Sequence, residues 1–313
     1  LGYPFPQPAL HVRNHFMSAR IIFPDCPTEL SKEQLSTYWS EGFLAFENAL
    51  SSAEVEEARQ GLIDITRSYA FNDEVAEYRP MTDGDSNYGG ASFRSKKSKC
   101  FVQLEPGYEP SPDKLDELVL KVRKTQDFQD EAPVFNRIYT THPRIQGVVK
   151  SILGQAIERY QTMALVKAAS GGVEKPWHQD NAYFAVENLD QVVGTWIALD
   201  DATAENGCMR VLATAHAKGP LKHYHTFDCE IVSGRIDPDL AIPIELPAGG
   251  MLVFHGNLPH QTPVNTSPNS RRALQYHYRS SSNAVVSKEA YYDVFKEADG
   301  TPASCVAALP ENF

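Results

Sequence analysis

The sequence predicts a mainly β fold with helical additions on its N-terminal side (α+β), built on a double-stranded β-helix, or jelly-roll, core. Three observations predict it. From Gly154 to about Arg279, short segments rich in β-branched and aromatic residues alternate with Gly, Pro and Asn, the pattern of many short strands separated by turns. Before Gly154, apolar residues fall at helical spacing behind Ser-led caps. Within the β half, Trp177-His178-Gln179-Asp180 places a histidine and a carboxylate at i and i+2, which a strand turns to one face and into the cavity it lines.

Residues 1–30 contain five prolines and little periodicity, so an extended N-terminal arm is expected there. Residues 31–313 read as one domain: helical support and a lid loop over 31–154, the jelly roll over 155–280, and a C-terminal extension over 281–313. Ser31 with Gln34 forms a capping box for a helix through about Glu41. Ser51 with Glu54 opens another, whose Val55, Ala58, Leu62 and Thr66 share one stripe. Phe43 to Phe46 reads as a short strand between them. Asn72 to Ser98 is rich in Asp, Asn, Gly and Ser and is expected to be a long loop acting as a lid. Helical patterns follow from Asp113 to Arg123 and from Pro143, suited to a first helical position, to Leu153 before Gly154. The expected strands are 160–168, 176–180, 192–199, 209–212, 241–246, 251–254 and 273–279.

Composition excludes several classes. A hydrophobic fraction of 42% without any apolar run of membrane-spanning length predicts a globular protein that does not insert into membranes. With 29 basic against 40 acidic residues the formal charge is −11, and the cations are scattered apart from Arg94-Ser95-Lys96-Lys97-Ser98-Lys99, which disfavours a nucleic-acid surface. The five cysteines are widely spaced without a CxxC pair, so no disulfide framework or zinc ribbon is expected. Leu1 to Arg20 shows no charged-then-apolar leader pattern, and Glu311-Asn312-Phe313 is no peroxisomal signal. A reducing, cytoplasmic location is expected, with the oligomeric state left open.

His178, Asp180 and one distant histidine, His260, supply two imidazoles and one carboxylate. Such a set occupies one face of an octahedron and leaves three positions open, which suits non-haem Fe(II) holding a co-substrate and dioxygen together. Arg271, eleven residues past His260, adds a planar guanidinium able to take a carboxylate through two parallel hydrogen bonds.

The blocks around these residues resemble the phytanoyl-CoA dioxygenase family of Fe(II)- and 2-oxoglutarate-dependent oxygenases. The resemblance is carried by Lys124-Thr125-Gln126-Asp127-Phe128, Gln161-Thr162-Met163, Trp177 to Asp180, Gly194 to Thr203 with Glu205 to Cys208, and His260 to Ala273, and spans roughly Leu30 to Arg279. One departure is Ala213-Thr214-Ala215-His216, where the family usually carries a Pro-Gly-Ser-His type of turn. The resemblance implies that His178, Asp180 and His260 bind iron, that Arg271 pairs with the distal carboxylate of 2-oxoglutarate and that Thr262 hydrogen-bonds it. It further implies that Lys124 meets the carboxylate beside the keto group and that Gln161, Met163 and Trp196 surround the co-substrate, the last two as apolar walls.

His255 is the neighbouring alternative to His260, but lies within the apolar strand and not eleven residues before Arg271. Arg272 is the alternative to Arg271, and strand alternation lets only one of the two enter the barrel. His216, His223, His225 and His277 read as surface groups or as neighbours of the ligands. Retention of Asp180, where a small residue would open a halide position, favours hydroxylation, desaturation or ring formation over halogenation. The expected reaction is hydroxylation of an unactivated C–H bond of a small organic molecule, consuming dioxygen and 2-oxoglutarate and releasing succinate and carbon dioxide. The alternative is a cupin-like metal-binding protein or isomerase without oxygenase turnover. A CoA thioester is disfavoured for want of organised cations. A modest organic substrate is expected to enter beneath 72–98 and 214–240, with Gln179 near it.

Overall fold

Strand alternation sorts the side chains of this chain into a face that meets helices and a face that meets a second sheet. The computed structural model describes residues 21–81, 90–225, 228–296, 299, 301 and 303, to which every structural statement below refers. Its strands are β1 (Ile22–Phe23), β2 (Phe43–Phe46), β3 (Ala76–Arg79), β4 (Ser92–Ser95), β5 (Phe101–Leu104), β6 (Val122–Gln126), β7 (Ile157–Lys167) and β8 (Lys175–His178). They continue with β9 (Val192–Ala198), β10 (Met209–Val211), β11 (His223–His225), β12 (Cys229–Ile231), β13 (Ile242–Ile244), β14 (Met251–His255), β15 (His260–Thr262) and β16 (Arg271–Ser280). Ten of them form the major sheet in the order β1-β2-β14-β9-β16-β7-β6-β5-β4-β3, and four form the minor sheet in the order β13-β10-β15-β8. Apart from the parallel β1–β2 pair, the ladders of these two sheets are antiparallel.

The helices form where the sequence caps them. Helices α1 (Lys32–Glu41) and α2 (Ser52–Tyr69) each begin with a complete capping box, at Ser31 with Gln34 and at Ser51 with Glu54, and α1 stops at Gly42 with φ 88°. The α2 stripe of Val55, Ala58, Leu62 and Thr66 is buried. A short α3 (Leu115–Leu120), then α4 (Pro133–Thr140) and α5 (Pro143–Leu153), each of these two with Pro in the first turn, complete the helical layer. These helices and the outward face of the major sheet, including Val102, Ala164, Ile197, Val253, Leu274 and Tyr276, share one core. The inward face packs on the minor sheet through Phe43, Trp196, Leu252, Phe254 and Ala273 against Met209, Val211, Ile244 and Leu246.

Several expectations are corrected. The 72–98 segment is not one lid loop, because 76–79 and 92–95 pair as β3 and β4 at the edge of the major sheet; the loop reading of 82–89 lies outside the described residues. The helix expected to run to Arg123 ends at Leu120, and the chain turns into β6, so Lys124 sits on a strand paired with Leu165. The division at residue 154 therefore falls inside the sheet, since β2 to β6 precede it. Of the expected arm, 21–30 contributes β1, and residues 1–20 lie outside the described residues. In the C-terminal extension α6 (Lys288–Val294) packs back on the barrel, its Tyr291 hydroxyl donating to Asn181 O. Cys26, Cys100 and Cys208 are free, whereas Cys229 is disulfide-bonded; spacing along the chain did not disclose a pairing made by the fold. No helix is long and apolar enough to cross a membrane among the described residues.

The inward face is tightly packed at Gly194, where an added Cβ would lie 2.4 Å from Cζ of Phe254, whose ring stands 4.9 Å from that of His260. Gly194→Ala is expected to destabilise the fold by about 1–3 kcal/mol, the usual effect of overpacking. A thermal melt followed by circular dichroism should show a lower Tm, and an unchanged Tm would refute this tight fit.

Candidate metal and co-substrate site

His178 ends β8, and β15 runs antiparallel beside it with His260 directly opposite. Asp180 opens a single turn of 3-10 helix after β8, so it leaves the strand yet still turns toward the two rings. Ligand atoms of His178, Asp180 and His260 all lie within 4.8 Å of one another, with every residue of the three buried. The two Nε2 atoms stand 3.5 and 3.6 Å from Asp180 Oδ1, and the rings are 4.1 Å apart at their centroids.

Hydrogen bonds fix which nitrogen is free. His178 Nδ1 donates to Pro176 O at 2.8 Å and His260 Nδ1 to Leu258 O at 2.9 Å, which leaves both Nε2 lone pairs turned to the centre. Burial, with His178 alongside, pushes His260 down to about 3, so its imidazole is neutral and fit to ligate. Asp180 is anchored through its other oxygen: His277 Nε2 donates to Oδ2 at 2.7 Å and Gln275 Nε2 approaches it at 3.5 Å. Burial alone would raise the carboxyl, but His277, which donates to it, holds it well below the usual range. A buried carboxylate flanked by the Nε2 atoms of two imidazoles suits a divalent cation, and the donor set fits Fe(II).

The long strand β16 builds the second half of the site. Its residues 271, 273, 275 and 277 face inward, which brings Arg271 in and turns Arg272 out. Arg272 makes three hydrogen bonds of 2.8 Å to the Asp200 carboxylate, through its backbone N, Nε and Nη2. Arg271 is 1% exposed, and among the described residues its guanidinium has no carboxylate partner. Nη2 donates to Gly207 O at 3.2 Å, Nη1 reaches Leu165 O only at 3.5 Å, and Nε has no partner. The guanidinium lies 5.1 Å over the Trp196 ring, whose Nε1 is likewise buried without a partner. Burial lowers the arginine to about 10, still charged at neutral pH. A buried cation with open donors costs several kcal/mol unless an anion meets it, so this corner fits a carboxylate.

The remaining expected residues fall on the same inward face. Gln161 and Met163 alternate along β7 opposite His277 and Gln275, Lys124 faces in from β6, and Thr262 lies two residues beyond His260 on β15. Burial lowers Lys124 to about 8. Gln179, expected near the substrate, is fully buried, with both amide hydrogens donated to Gly219 O and Asn257 O and its carbonyl accepting from Leu221 N, so its side chain is taken up in bracing a loop. His255 stands apart from the metal cluster, beside His216 and Trp39. His223 accepts the Gln179 backbone N–H at 2.9 Å and braces the ligand strand.

Three contributors, Gln275, Lys175 and Lys167, were not singled out from sequence, and His277, read there as a surface group or a neighbour of the ligands, adjoins Asp180. Gln275 and His277 were legible by parity, being four and six residues past Arg271 on one strand. Lys175 was not: the ladder slips between β15 and β8, pairing Lys175 with Thr262 and so turning it to the same face as His178. Its ammonium donates at 2.6 Å both to Tyr183 Oη and to Asp228 Oδ2. Lys167, opposite Arg271, donates to Val173 O and Thr262 O and holds the strand that carries Thr262.

The family model for phytanoyl-CoA dioxygenase (PhyH) matches residues 38–273, three quarters of the chain. The chain belongs to the phytanoyl-CoA dioxygenase family. A relative from Danio rerio, phytanoyl-CoA dioxygenase domain-containing protein 1, is 26% identical over 287 residues, covering 86% of this chain and 96% of its own. Among solved structures, EvdO2 from Micromonospora carbonacea var. aurantiaca superposes with a TM-score of 0.59 at 22% identity, over 85% of this chain and 96% of that one. The non-haem α-ketoglutarate-dependent carbocyclase SnoK from nogalamycin biosynthesis gives a TM-score of 0.58 at 18% identity, over 90% and 96%. The two structures share the jelly-roll fold. Family membership and the His178, Asp180, His260 set make the chain an iron- and 2-oxoglutarate-dependent dioxygenase.

Removing the anchor of Asp180 tests the site. His277→Leu leaves Oδ2 without its short hydrogen bond, and Fe(II) affinity is expected to fall about 10–100-fold, the usual effect of losing a ligand's supporting partner. Anaerobic metal titration by calorimetry measures this; unchanged affinity would remove His277 from the account.

Proposed function

We propose that the protein hydroxylates an unactivated C–H bond of a small organic substrate, with 2-oxoglutarate and dioxygen as co-substrates. The observation that carries this reading is Arg271, a buried guanidinium without a carboxylate partner on the strand that also anchors the metal-binding aspartate. A cupin-like site that only held a metal would have no use for it. EvdO2, also matched in complex with 2-oxoglutarate (TM-score 0.53), supports the same reading for this chain.

Iron held by His178, Asp180 and His260, together with 2-oxoglutarate, supplies the chemistry that splits dioxygen, with succinate and carbon dioxide as co-products. The protein's own residues orient and enclose. Arg271 takes the distal carboxylate of 2-oxoglutarate through paired N–H donors, and Thr262 adds a hydroxyl. Lys124 meets the carboxylate beside the keto group. Trp196, fully buried beneath the guanidinium, and Met163 wall the co-substrate and keep water from it. Gln161 completes that wall from β7. His277 and Gln275 fix the Asp180 carboxylate so that one oxygen faces the metal.

His178→Ala is expected to abolish metal-dependent succinate release. Arg271→Leu should raise the 2-oxoglutarate Kd by about 100-fold, the scale of two charge-assisted hydrogen bonds, while Fe(II) affinity changes by no more than about threefold. Calorimetry of each ligand separates the two effects. Equal losses for iron and 2-oxoglutarate would contradict the role given to Arg271.

A further inference from the structure

On β5, β6 and β7 the outward residues Val102, Thr125 and Ala164 are buried, while the inward residues Phe101, Gln103, Lys124, Gln126, Met163 and Leu165 are half-buried. The inward face here is thus less fully covered than the outward one. In register across the major sheet, Arg94 lies opposite Phe101, Phe101 opposite Gln126, Gln126 opposite Met163, and Met163 opposite Gln275, which touches Asp180. One row of side chains thus leads from the metal site to Arg94.

The outer end of that row is cationic. The Arg94 guanidinium lies 4.5 Å and the Lys124 ammonium 5.2 Å from the Phe101 ring centroid, and neither makes an ion pair among the described residues. Arg94 Nε is buried without a hydrogen-bond partner. Among the described residues the carboxylates near them are engaged elsewhere: Glu77, opposite Arg94, pairs with Arg79 at 3.1 Å, Asp228 with Lys175 at 2.6 Å, and Asp127 accepts from the Gln126 amide. In a chain of formal charge −11, two cations thus share one aromatic ring with no ion pair among the described residues. A bound oxyanion would satisfy the buried Nε and relieve their mutual repulsion.

We propose that the substrate carries an oxyanion, a carboxylate or a phosphate ester, which Arg94 receives beside Phe101, while the carbon to be oxidised lies at the metal end of the row. This deepens the 2-oxoglutarate oxygenase reading and rests on it, with Lys124 serving the co-substrate and Arg94 the substrate. Four strand spacings of about 4.8 Å separate Arg94 from Gln275, about 19 Å along the sheet before the reach of the side chains is subtracted. The substrate is therefore an organic anion oxidised at a carbon removed from its charged end.

The test uses the full chain with Fe(II) and 2-oxoglutarate, without dioxygen, and repeats each titration without either. Phenylbutyrate and phenylpropyl phosphate are the oxyanion probes and phenylbutyramide the neutral one, with Kd measured by calorimetry. The better oxyanion probe should bind at least about tenfold more tightly than the amide, the scale of one charge-assisted hydrogen bond, and which one it is separates carboxylate from phosphate recognition. Arg94→Met should erase the preference and Arg94→Lys retain part of it, both with wild-type thermal melts. Lys124→Met should weaken 2-oxoglutarate more than Arg94→Met does. No oxyanion preference in the wild type, a preference that survives Arg94→Met, or equal weakening of 2-oxoglutarate by the two substitutions would overturn the proposal. Failure of the oxygenase reading shows separately, as absence of 2-oxoglutarate binding to the wild type.

Discussion

A carboxylate cannot be fully buried without compensation, and the site is organised around how Asp180 is compensated. One oxygen is fixed by His277 and Gln275 from β16; the other faces the Nε2 atoms of His178 and His260. Both rings are held by hydrogen bonds from Nδ1 to backbone carbonyls two residues earlier, so the lone pairs converge without a flexible side chain to order. The same strand that fixes Asp180 carries Arg271 inward at its other end. The metal corner and the anion corner are therefore spaced by one rigid strand.

That strand owes its rigidity to its position. β16 is central in the ten-stranded sheet, paired along its length with β7 and over most of it with β9, and its outward Leu274, Tyr276 and Tyr278 are fully buried beneath the helices. Tyr276 stacks on Tyr139 of α4 at 4.9 Å, and Tyr278 donates to Tyr139 O. The N-terminal helices thus cover the outward face, which frees the inward face to carry polar and charged groups that a cavity or ligand must satisfy.

Much of this was legible in the sequence because period-two patterns and caps are local. The capping boxes at Ser31 and Ser51, the β14 and β16 segments, and the opposite facing of Arg271 and Arg272 depend only on neighbours a few residues away. The misreadings have physical causes. Asp180 reaches the metal face from a 3-10 turn and not from the strand that alternation assumed. Lys175 faces in because the ladder slips by one residue, which period-two reading cannot see. Polar β3 and β4 resembled loop because a short edge strand and its neighbour, each of four residues, lack continuous apolar runs. Gln179 is fully occupied by backbone groups about 40 and 78 residues away, a long-range arrangement that no local pattern encodes.

Family membership accounts for the reaction class, while the half-buried inward residues of β4 to β7 are where the proposal above places the choice of substrate. The central claim is that the His178, Asp180 and His260 set and the unpaired Arg271 guanidinium together hold iron with 2-oxoglutarate. The most direct measurement is anaerobic: Fe(II) is added to the wild-type protein, then 2-oxoglutarate, while the visible spectrum is recorded. A weak charge-transfer band that grows with 2-oxoglutarate to saturation is the expected result. Its absence at saturating 2-oxoglutarate, with iron demonstrably bound, would contradict the account.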